Sequence, residues 1–395
     1  MKIYPFKAFR PVSSEVASKT SCPPYDVIST REASELAKGN PDSFLNVIRP
    51  EIAFNDSTNV YDDSVYKRGA TELGRLLQSN LFDQDEDPSV YVYRMEVQGV
   101  GSSGIFTCVG VDDYDNNRIL KHELTRPDKE DDRTRHLVEQ QGHAEPVMLL
   151  HESDDTVRRL IASTIREEAL TDFTAEDGVR HQIWRIENTG NAVSVFSRIR
   201  RFYVADGHHR CAAASRAAKQ VASGESNVFP AAIFSSDEMN LMAYNRVVLK
   251  ASEADINRLF EDFDVLSEGS AVPDKKGDVS IYSSGKWRTI QLRPASEKVT
   301  PVDKLDAQRL QTQILSVIFG IEDPRTDQNI RFVGGIRGTE ELEKMVDSGK
   351  AALAFSMHPT SIKELMAVSD AGLLMPPKST WFEPKLRSGL LIHMF

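Results

Sequence analysis

The chain has 395 residues, and its 48 Lys and Arg against 59 Asp and Glu give a formal net charge of −11. This acidic balance argues against a general binder of nucleic acid or of anionic membranes, because such binders need a positive field to attract phosphate. Hydrophobic residues make up 40% and charged residues 27%, which excludes a largely disordered chain and favours two or three domains.

Neither the N-terminus nor any internal run predicts a targeting or membrane segment. The first residues lack the apolar stretch of a signal peptide, and no run reaches the roughly 18 apolar residues that a spanning helix needs. The three cysteines are far apart and odd in number, which predicts neither a disulfide framework nor paired metal ligands. We therefore expect a cytoplasmic protein with no membrane or nucleic-acid partner and no metal held by the chain alone.

Helix and strand patterns alternate along the first 250 residues. Apolar spacing and β-branched or aromatic content predict, in order, a helix over 62–79, strands at 90–93 and 105–111, a helix over 154–169, a strand at 182–186 and a Gly-Asn turn at 190–191. These alternating patterns indicate a mixed α/β (α+β) fold.

The pattern changes after residue 250. It predicts, in order, a hairpin of strands 279–282 and 287–292 around the four-residue loop 283–286, a helix over 305–319, a strand at 330–333, a helix over 338–348 and a strand at 351–356. The buried stripe of the helix over 305–319 is predicted to contain Leu310, Ile314, Val317 and Ile318. We expect two domains, at 1–250 and 251–395. The last segment of the C-terminal domain is predicted to return to the functional site of the N-terminal domain.

The most informative segment lies at 201–214, where a β-prone run ends at Asp206 and Gly207 and an alanine-rich helix follows at once. Gly207 permits a tight turn, and the first turn of a helix presents unpaired N–H groups and a positive dipole to an anion. Arg210 adds a guanidinium suited to phosphate, while Asp206, His208 and His209 add titratable groups. The alternative interpretation is that Asp206 is an ordinary helix cap beside solvated histidines.

This segment resembles the ParB/sulfiredoxin-like superfamily, whose members use a Gly-x-x-Arg turn at a helix start to hold nucleotide phosphates. Gly207 and Arg210 fit that turn, and His209 corresponds to a sulfiredoxin histidine. The full Asp-Gly-His-His-Arg run is similar to a family of unknown function related to free serine kinases. That resemblance extends over nearly the whole chain and includes the runs at 23–27, 121–123 and 376–380.

The resemblance implies a nucleotide-binding core, with ATP, ADP or CTP and Mg²⁺ as cofactors, and phosphoryl transfer to free serine or a similar hydroxylated metabolite. Sulfinic-acid reduction is not expected, because His208 stands where sulfiredoxins carry their cysteine, and Cys211 is predicted to pack in the helix. DNA binding as in ParB proteins is not expected either, since no basic helix-turn-helix pattern is visible. We also expect a homodimer.

Further polar clusters supply candidate residues. His122 and Glu123 follow a strand and suit general base work, and a helix starting near Asp128 would place Arg133 beside bound phosphate. Surface ion pairing is the alternative for these side chains.

Two proline-stiffened loops add to the predicted site. Tyr25 and Asp26 follow Pro23-Pro24, so the ring is predicted to stack on a base and the carboxylate to lie near metal or ribose. Lys378 and Lys385 in the last loop are predicted to neutralise phosphate. A buried tyrosine in a turn and ordinary surface lysines are the alternatives.

Three functions are compatible with these residues. In a kinase, the turn at 207–210 binds phosphates and Glu123 or Asp206 accepts the proton of the substrate hydroxyl, with His122 and His209 assisting. A metal-dependent hydrolase would instead group His122, Glu123, His208 and His209 around an ion. A nucleotide-binding regulatory protein would bind without turnover.

Overall fold

The computed structural model describes residues 1–55, 57–296 and 299–395, which form two compact units. Unit 1 comprises Met1–Lys121, Thr125–Met239 and Pro384–Phe395, and unit 2 comprises His122–Leu124 and Asn240–Glu383. The mixed α+β class is confirmed. The division of the chain into domains at residue 250 stays a prediction. Within the described residues, no helix has both the length and the hydrophobicity to cross a membrane.

Unit 1 contains most of the secondary structure. Its strands up to Met239 are β1 (Ile3–Tyr4), β2 (Phe9–Pro11), β3 (Phe82–Gln84), β4 (Tyr91–Val97), β5 (Val100–Gly110), β6 (Ile119–Leu120), β7 (Gly142–His143), β8 (Val147–His151), β9 (Thr171–Thr174), β10 (Arg180–Arg185), β11 (Phe202–Asp206) and β12 (Val228–Ser235). Its helices are α1 (Ser14–Thr20), α2 (Thr30–Ala37), α3 (Leu45–Ile48), α4 (Asp63–Leu77), α5 (Val111–Asp115), α6 (Pro127–Gln140), α7 (Asp155–Thr164), α8 (Thr189–Phe196) and α9 (His208–Val221).

A nine-stranded mixed sheet organises unit 1, in the order β6-β11-β8-β12-β5-β4-β10-β9 with β1 on β5. Strand β8 is parallel to β12 and antiparallel to β11. Buried residues of α7, α8 and α9 belong to the same apolar cluster as the central strands, so these helices bury the sheet. The carboxyl end of β11 therefore leads directly from the core into α9.

The predicted elements of unit 1 are confirmed as α4, β4, β5, α7 and β10, each within a few residues of its expected bounds. Helices α4 and α7 each begin at a side-chain cap: at α7, the Asp154 carboxylate accepts from Thr156 N and Val157 N. The prediction of a Gly-Asn turn at 190–191 is wrong. These residues lie in the first turn of α8, because the Asn188 side chain accepts from Asn191 N at 2.9 Å and so starts a helix there.

Unit 2 contains a six-stranded sheet in the order β15-β17-β16-β19-β14-β18 and a separate β13–β20 pair. Its strands are β13 (Asn240–Met242), β14 (Tyr244–Val248), β15 (Val265–Glu268), β16 (Asp278–Ser283), β17 (Lys286–Gln291), β18 (Ile330–Gly334), β19 (Leu353–Met357) and β20 (Trp381–Glu383). Its helices are α10 (Glu253–Asp262), α11 (Asp306–Leu310), α12 (Glu340–Asp347) and α13 (Ile362–Asp370). The last strand of the chain, β21 (His393–Met394), belongs to unit 1, where it pairs with β7.

Two predictions in unit 2 need correction. The loop of the β16–β17 hairpin has two residues rather than four, because Ser283 and Lys286 are paired and only Ser284 and Gly285, with φ of 52° and 77°, form the turn. The helix predicted over 305–319 is the short α11 followed by a π-helical turn at Gln311–Leu315. A π turn shifts the helical periodicity, so Val317 is 53% exposed instead of buried.

Candidate functional site

The junction of β11 and α9 has the geometry that the sequence predicts. Gly207 has φ of +94° and stands at the N-cap of the 14-residue helix α9, where it brings no side chain of its own to cap the helix. A Cβ on Gly207 would lie 3.0 Å from Arg210 Nε, so both the backbone and the space favour glycine. The first turn of such a helix has the positive end of the helix dipole, which favours an anion.

Asp206 does not cap this helix. Its Oδ2 accepts from Arg210 at 2.7 Å, and its Oδ1 lies 3.1 Å from Lys385 Nζ. Burial by itself would raise the pKa of Asp206, but Lys385, Arg210 and His208 outweigh it and hold the pKa well below its usual range. The Asp206 carboxylate is therefore ionised, and it links α9, through Arg210, to the final segment of unit 1, through Lys385.

The Arg210 guanidinium is buried and donates hydrogen bonds to other groups of the protein. Besides Asp206, it donates to the carbonyl of Pro146, and the residue is only 7% exposed. These contacts use one N–H on each terminal nitrogen, and the binding of an external phosphate by this guanidinium stays a prediction. Its Nε, which faces Gly207, has no hydrogen-bond partner among the described residues.

A second buried arginine lies on α6. Arg133 donates twice to Asp132, at 2.8 and 3.1 Å, and its guanidinium lies 4.0 Å from the centroid of the Tyr25 ring. Tyr25 is 6% exposed, which agrees with the alternative interpretation of a buried tyrosine. The Arg133 guanidinium covers one face of its ring. Stacking on a base would therefore have only the other face available. Asp26, the next residue, is exposed.

Glu145 is a site residue that the sequence analysis missed. It lies 3.5 Å from Arg133, accepts from Tyr25 N at 3.2 Å and precedes Pro146, whose carbonyl holds Arg210. Burial raises the pKa of Glu145 more than the two arginines lower it. The signal in the sequence was an acidic residue two positions before the apolar strand β8. The β8–β11 pairing places the start of β8 beside Asp206.

A cavity of about 30 Å³ lies behind the turn, lined among others by Arg133, His136, His143, Glu145 and Arg210. This volume suits a water molecule, not a nucleotide. The buried Nδ1 of His136 and Nε2 of His143 have no partner among the described residues, which fits such water. A nucleotide at the Gly207 turn would therefore have to lie on its solvent side.

The two histidines of the turn differ in exposure. His208 is 6% exposed, and His209 is half-buried. The Nε2 of His209 accepts from the backbone N of Arg126, the N-cap of α6, at 3.1 Å. This contact brings the start of α6 to the start of α9, and it leaves Nδ1 of a neutral His209 ring as the protonated nitrogen.

The remaining predicted residues, His122, Glu123 and Lys378, belong to unit 2. His122 is buried, with Nε2 3.2 Å from the hydroxyl of Thr380, and its carbonyl accepts from Met375 N. Glu123 is half-buried. Lys378 has φ of 54°, and its ammonium lies 5.6 Å from the centroid of the Tyr244 ring. The structure thus brings His122 to the loop that carries Lys378.

A family described as "Protein of unknown function (DUF1015)" matches residues 3–308. No curated protein matches the chain. Similar solved structures include a free serine kinase in complex with AMP, at 13% identity and TM-score 0.37 over 72% of this chain and 92% of that one. A conserved hypothetical protein from Pyrococcus furiosus has 13% identity and TM-score 0.36 over 72% and 95%. SbnI with C-terminal truncation from Staphylococcus aureus has 12% identity and TM-score 0.39 over 73% and 87%. Likenesses this distant do not bear on function.

Proposed function

The chain belongs to the DUF1015 family, and from the geometry of unit 1 we propose that it is a nucleotide-dependent kinase of a small hydroxylated metabolite. The observation that carries the proposal is the start of α9: a glycine in left-handed conformation, without a Cβ, stands at the N-cap of a 14-residue helix directly after the buried strand β11. Such a turn lets the oxygens of a phosphate approach the backbone amides closely. The resemblance of the Asp-Gly-His-His-Arg run to free serine kinases makes serine the first substrate to test.

The buried charges hold the turn in place. Asp206 is held by Arg210 and Lys385, and Arg210 is fixed in turn by the Pro146 carbonyl. Phosphoryl transfer depends mainly on positioning and on preorganised dipoles, so a turn held by buried ion pairs suits this chemistry. We therefore assign Asp206, Arg210 and Lys385 as positioning residues.

Asp206 does not suit the role of proton acceptor for the substrate hydroxyl, so Glu123 stays the candidate that the sequence predicts. A general base works best when its pKa lies near the working pH, and the pKa of Asp206 is held far below it. His209, whose Nδ1 is the protonated nitrogen of the neutral ring, is proposed as a hydrogen-bond donor to phosphate. For His122, assistance in proton transfer stays a prediction from the sequence, as does neutralisation of phosphate for Lys378.

The nucleotide would bring Mg²⁺ with its phosphates, and the ion neutralises their charge. Both oxygens of Asp206 are engaged by cations, so this carboxylate does not fit a metal ion. Asp26 is exposed and has carboxylate oxygens of the kind that Mg²⁺ prefers, so we propose it as the ligand from unit 1.

The test compares two glycine variants. Gly207→Ala introduces a Cβ where φ is +94° and Arg210 is 3.0 Å away, whereas Gly178→Ala is the control, with φ of +81° and nothing within 4 Å. Thermal shifts with ATP, ADP, AMP and CTP, each with and without Mg²⁺, measure binding. We expect one nucleotide to stabilise the wild-type protein and Gly178→Ala but not Gly207→Ala, and phosphorylated product to form from a metabolite panel beginning with serine.

Equal shifts with inorganic sulfate and with every nucleotide would contradict the proposal, because they would indicate an unselective anion site. Tight binding of one nucleotide without product from any metabolite would instead indicate a regulatory protein. That second candidate is favoured by one observation: Asp206, the central carboxylate of the turn, is held in a buried ion pair and does not suit proton transfer.

A further inference from the structure

A second candidate site lies at the opposite end of the unit 1 sheet. Strand β8 begins beside the Gly207 turn and ends at His151, about 13 Å further along the strand. A cleft of about 240 Å³ opens there between the sheet and α7. It lies wholly within unit 1 and plays no part in the proposed phosphoryl transfer.

The floor of this cleft is a row of polar side chains across four adjacent strands. Strand pairing sets Arg94 opposite Ser103, and Ser235 opposite His151. Phe234 is opposite Gly104, so the next residue, Ser235, stands beside Ser103. The row is therefore continuous from β4 through β5 and β12 to β8.

The same face of the sheet is apolar in the row next to this one, two residues earlier on β4, β12 and β8 and two residues later on the antiparallel β5. There the row consists of Val92, Ile105, Ile233 and Leu149, all within the core of unit 1. Because side chains alternate along a strand, both rows point to the same side. Helix α7 covers this side with buried Val157 and half-buried Ile161 and Ile165, so the cleft has a polar floor and an apolar wall.

His151 presents a lone pair to the cleft. It is 1% exposed, and its Nδ1 lies 2.6 Å from the carbonyl of Glu152, so Nδ1 carries the proton that is donated. Burial lowers the pKa of His151, which keeps the ring neutral, and Nε2 is then an acceptor. Among the described residues nothing donates to this buried Nε2.

Arg94 presents the complementary group. One terminal nitrogen donates to Glu96 at 2.7 Å, while its buried Nε–H has no partner among the described residues. The side chain lies against Gly101, where a Cβ would be 2.5 Å from Nε, so the glycine makes room for the guanidinium. The cleft thus contains one unused donor and one unused acceptor, both buried.

Among the residues that line the cleft, two are cationic and two are anionic. Arg94 and Arg158 are cationic, and Asp154 and Glu238 are anionic. A divalent cation is disfavoured, because among the described residues His151, Asp154 and Glu238 do not bring three ligand atoms together at the spacing that one ion needs. A ligand that satisfies this cleft needs an anionic group for Arg94, a donor for His151 and an apolar body for α7.

We propose that this cleft binds a zwitterionic α-amino acid with an apolar side chain. The carboxylate accepts from Arg94 Nε, the ammonium donates to His151 Nε2 near the Glu238 carboxylate, and the side chain packs on Val157 and Ile161. The cleft is smaller than the roughly 300–1,000 Å³ of sites for drug-sized molecules, which suits a single amino acid. Because this site is separate from the Gly207 turn, its test does not depend on the proposed kinase activity.

The first test uses the unmodified protein and three ligands that share one branched apolar chain. L-leucine, isocaproate without the ammonium, and isoamylamine without the carboxylate are titrated by calorimetry. We expect L-leucine to bind and each truncated analogue to bind at least about tenfold more weakly, since each leaves one buried group unpaired. No binding of L-leucine, or equal binding of all three, overturns the proposal, the latter by showing an unselective water-filled cleft.

The second test locates the binding. Gly101→Ala displaces the Arg94 guanidinium, and Glu238→Gln removes a carboxylate from the rim. We expect both variants to lose L-leucine affinity, while the control Glu152→Gln, at an exposed carboxylate, retains it. A cooperative urea-unfolding transition retained by all three variants would show that they are folded. Unchanged L-leucine affinity in Gly101→Ala and Glu238→Gln would overturn the assignment to this cleft.

Discussion

Lys385 Nζ lies 3.1 Å from Asp206 Oδ1, although 179 residues separate the two in sequence. The contact joins the last segment of unit 1 to the end of β11, and it leaves Asp206 between two cations, Lys385 and Arg210. The anion that begins the Asp-Gly-His-His-Arg run is thus a structural ion-pair partner. Asp206, Arg210 and Lys385 therefore hold the turn in place.

Replacing Lys385 by Met should destabilise the protein in a pH-dependent way. Since the folded-state pKa of Asp206 is depressed, its contribution to stability is present above about pH 4, its unfolded pKa, and is lost as the pH falls towards the folded value. Without Lys385 the folded pKa rises and this contribution shrinks. We expect a loss of about 1–3 kcal/mol at pH 7 that narrows at pH 3, measured by urea unfolding.

The matched control is Lys38→Met, which changes an exposed lysine of unit 1 and should shift the free energy of unfolding by no more than about 0.5 kcal/mol. A loss in Lys385→Met that is the same at both pH values would contradict the ion-pair account.

The Glu145→Gln variant should show the opposite dependence on pH. Burial raises the folded pKa of Glu145, so the folded state binds the proton more tightly and the wild-type protein loses stability as the pH rises through this window. Glutamine has no such titration. We expect the free energy of unfolding of Glu145→Gln, relative to wild type, to increase from pH 4 to pH 7.5 by an amount on the order of 1 kcal/mol.

Denaturant unfolding at the two pH values measures this difference, and Glu139→Gln on the exposed side of α6 is the control. If the Glu145 variant lost stability relative to wild type as the pH rose, the arginines would outweigh burial, and Glu145 would be an ordinary anion at neutral pH.

The turn itself could be predicted from the sequence, and its charge network could not. A β-prone run, a glycine and an alanine-rich run are neighbours in the chain, so local propensity predicts the junction at Gly207. The carbonyl of Pro146, which engages Arg210, is 64 residues away, and no local pattern indicates that pairing. The sequence therefore predicts the backbone geometry of the turn but not the distant contacts that hold Arg210 and Asp206 in place.

The helix predicted over 305–319 shows a second limit of sequence patterns. Leu310, Ile314 and Ile318 are buried as their spacing predicts. Val317 is not, because the π turn at Gln311–Leu315 inserts extra chain into the helix and rotates the following residues. Hydrophobic spacing assumes an unbroken α-helix, and such a turn gives no separate signal in the apolar pattern.

Tyr66→Phe should destabilise unit 1 through a single lost hydrogen bond. The Tyr66 hydroxyl donates to Asp132 Oδ1 at 2.9 Å, and both residues are buried. Phenylalanine keeps the ring and its edge contact with His136 but leaves that carboxylate oxygen with one donor fewer. We expect a loss of about 1–3 kcal/mol by thermal or urea unfolding, against no more than about 0.5 kcal/mol for the exposed Tyr61→Phe. Equal effects of the two variants would show that the buried bond contributes nothing.

Gly334→Ala should destabilise unit 2 for a steric reason. A Cβ at Gly334 would lie 2.6 Å from the Trp381 ring, which packs edge-on against Tyr244 at 5.3 Å. The ring or the end of β18 must therefore move, at a cost of about 1–3 kcal/mol. Gly74→Ala, within α4 and with nothing within 4 Å, should instead stabilise by about 0.5–1 kcal/mol through helix propensity.

A double-mutant cycle assigns the effect of Gly334→Ala to the ring. Trp381→Leu removes the atoms that the new Cβ would meet, so Gly334→Ala should cost at least about 1 kcal/mol less in that background than in the wild type. Urea unfolding of the four proteins gives this coupling free energy directly. If the cost of Gly334→Ala were the same with and without Trp381, the strain would lie in the backbone of β18 rather than in the contact between glycine and indole.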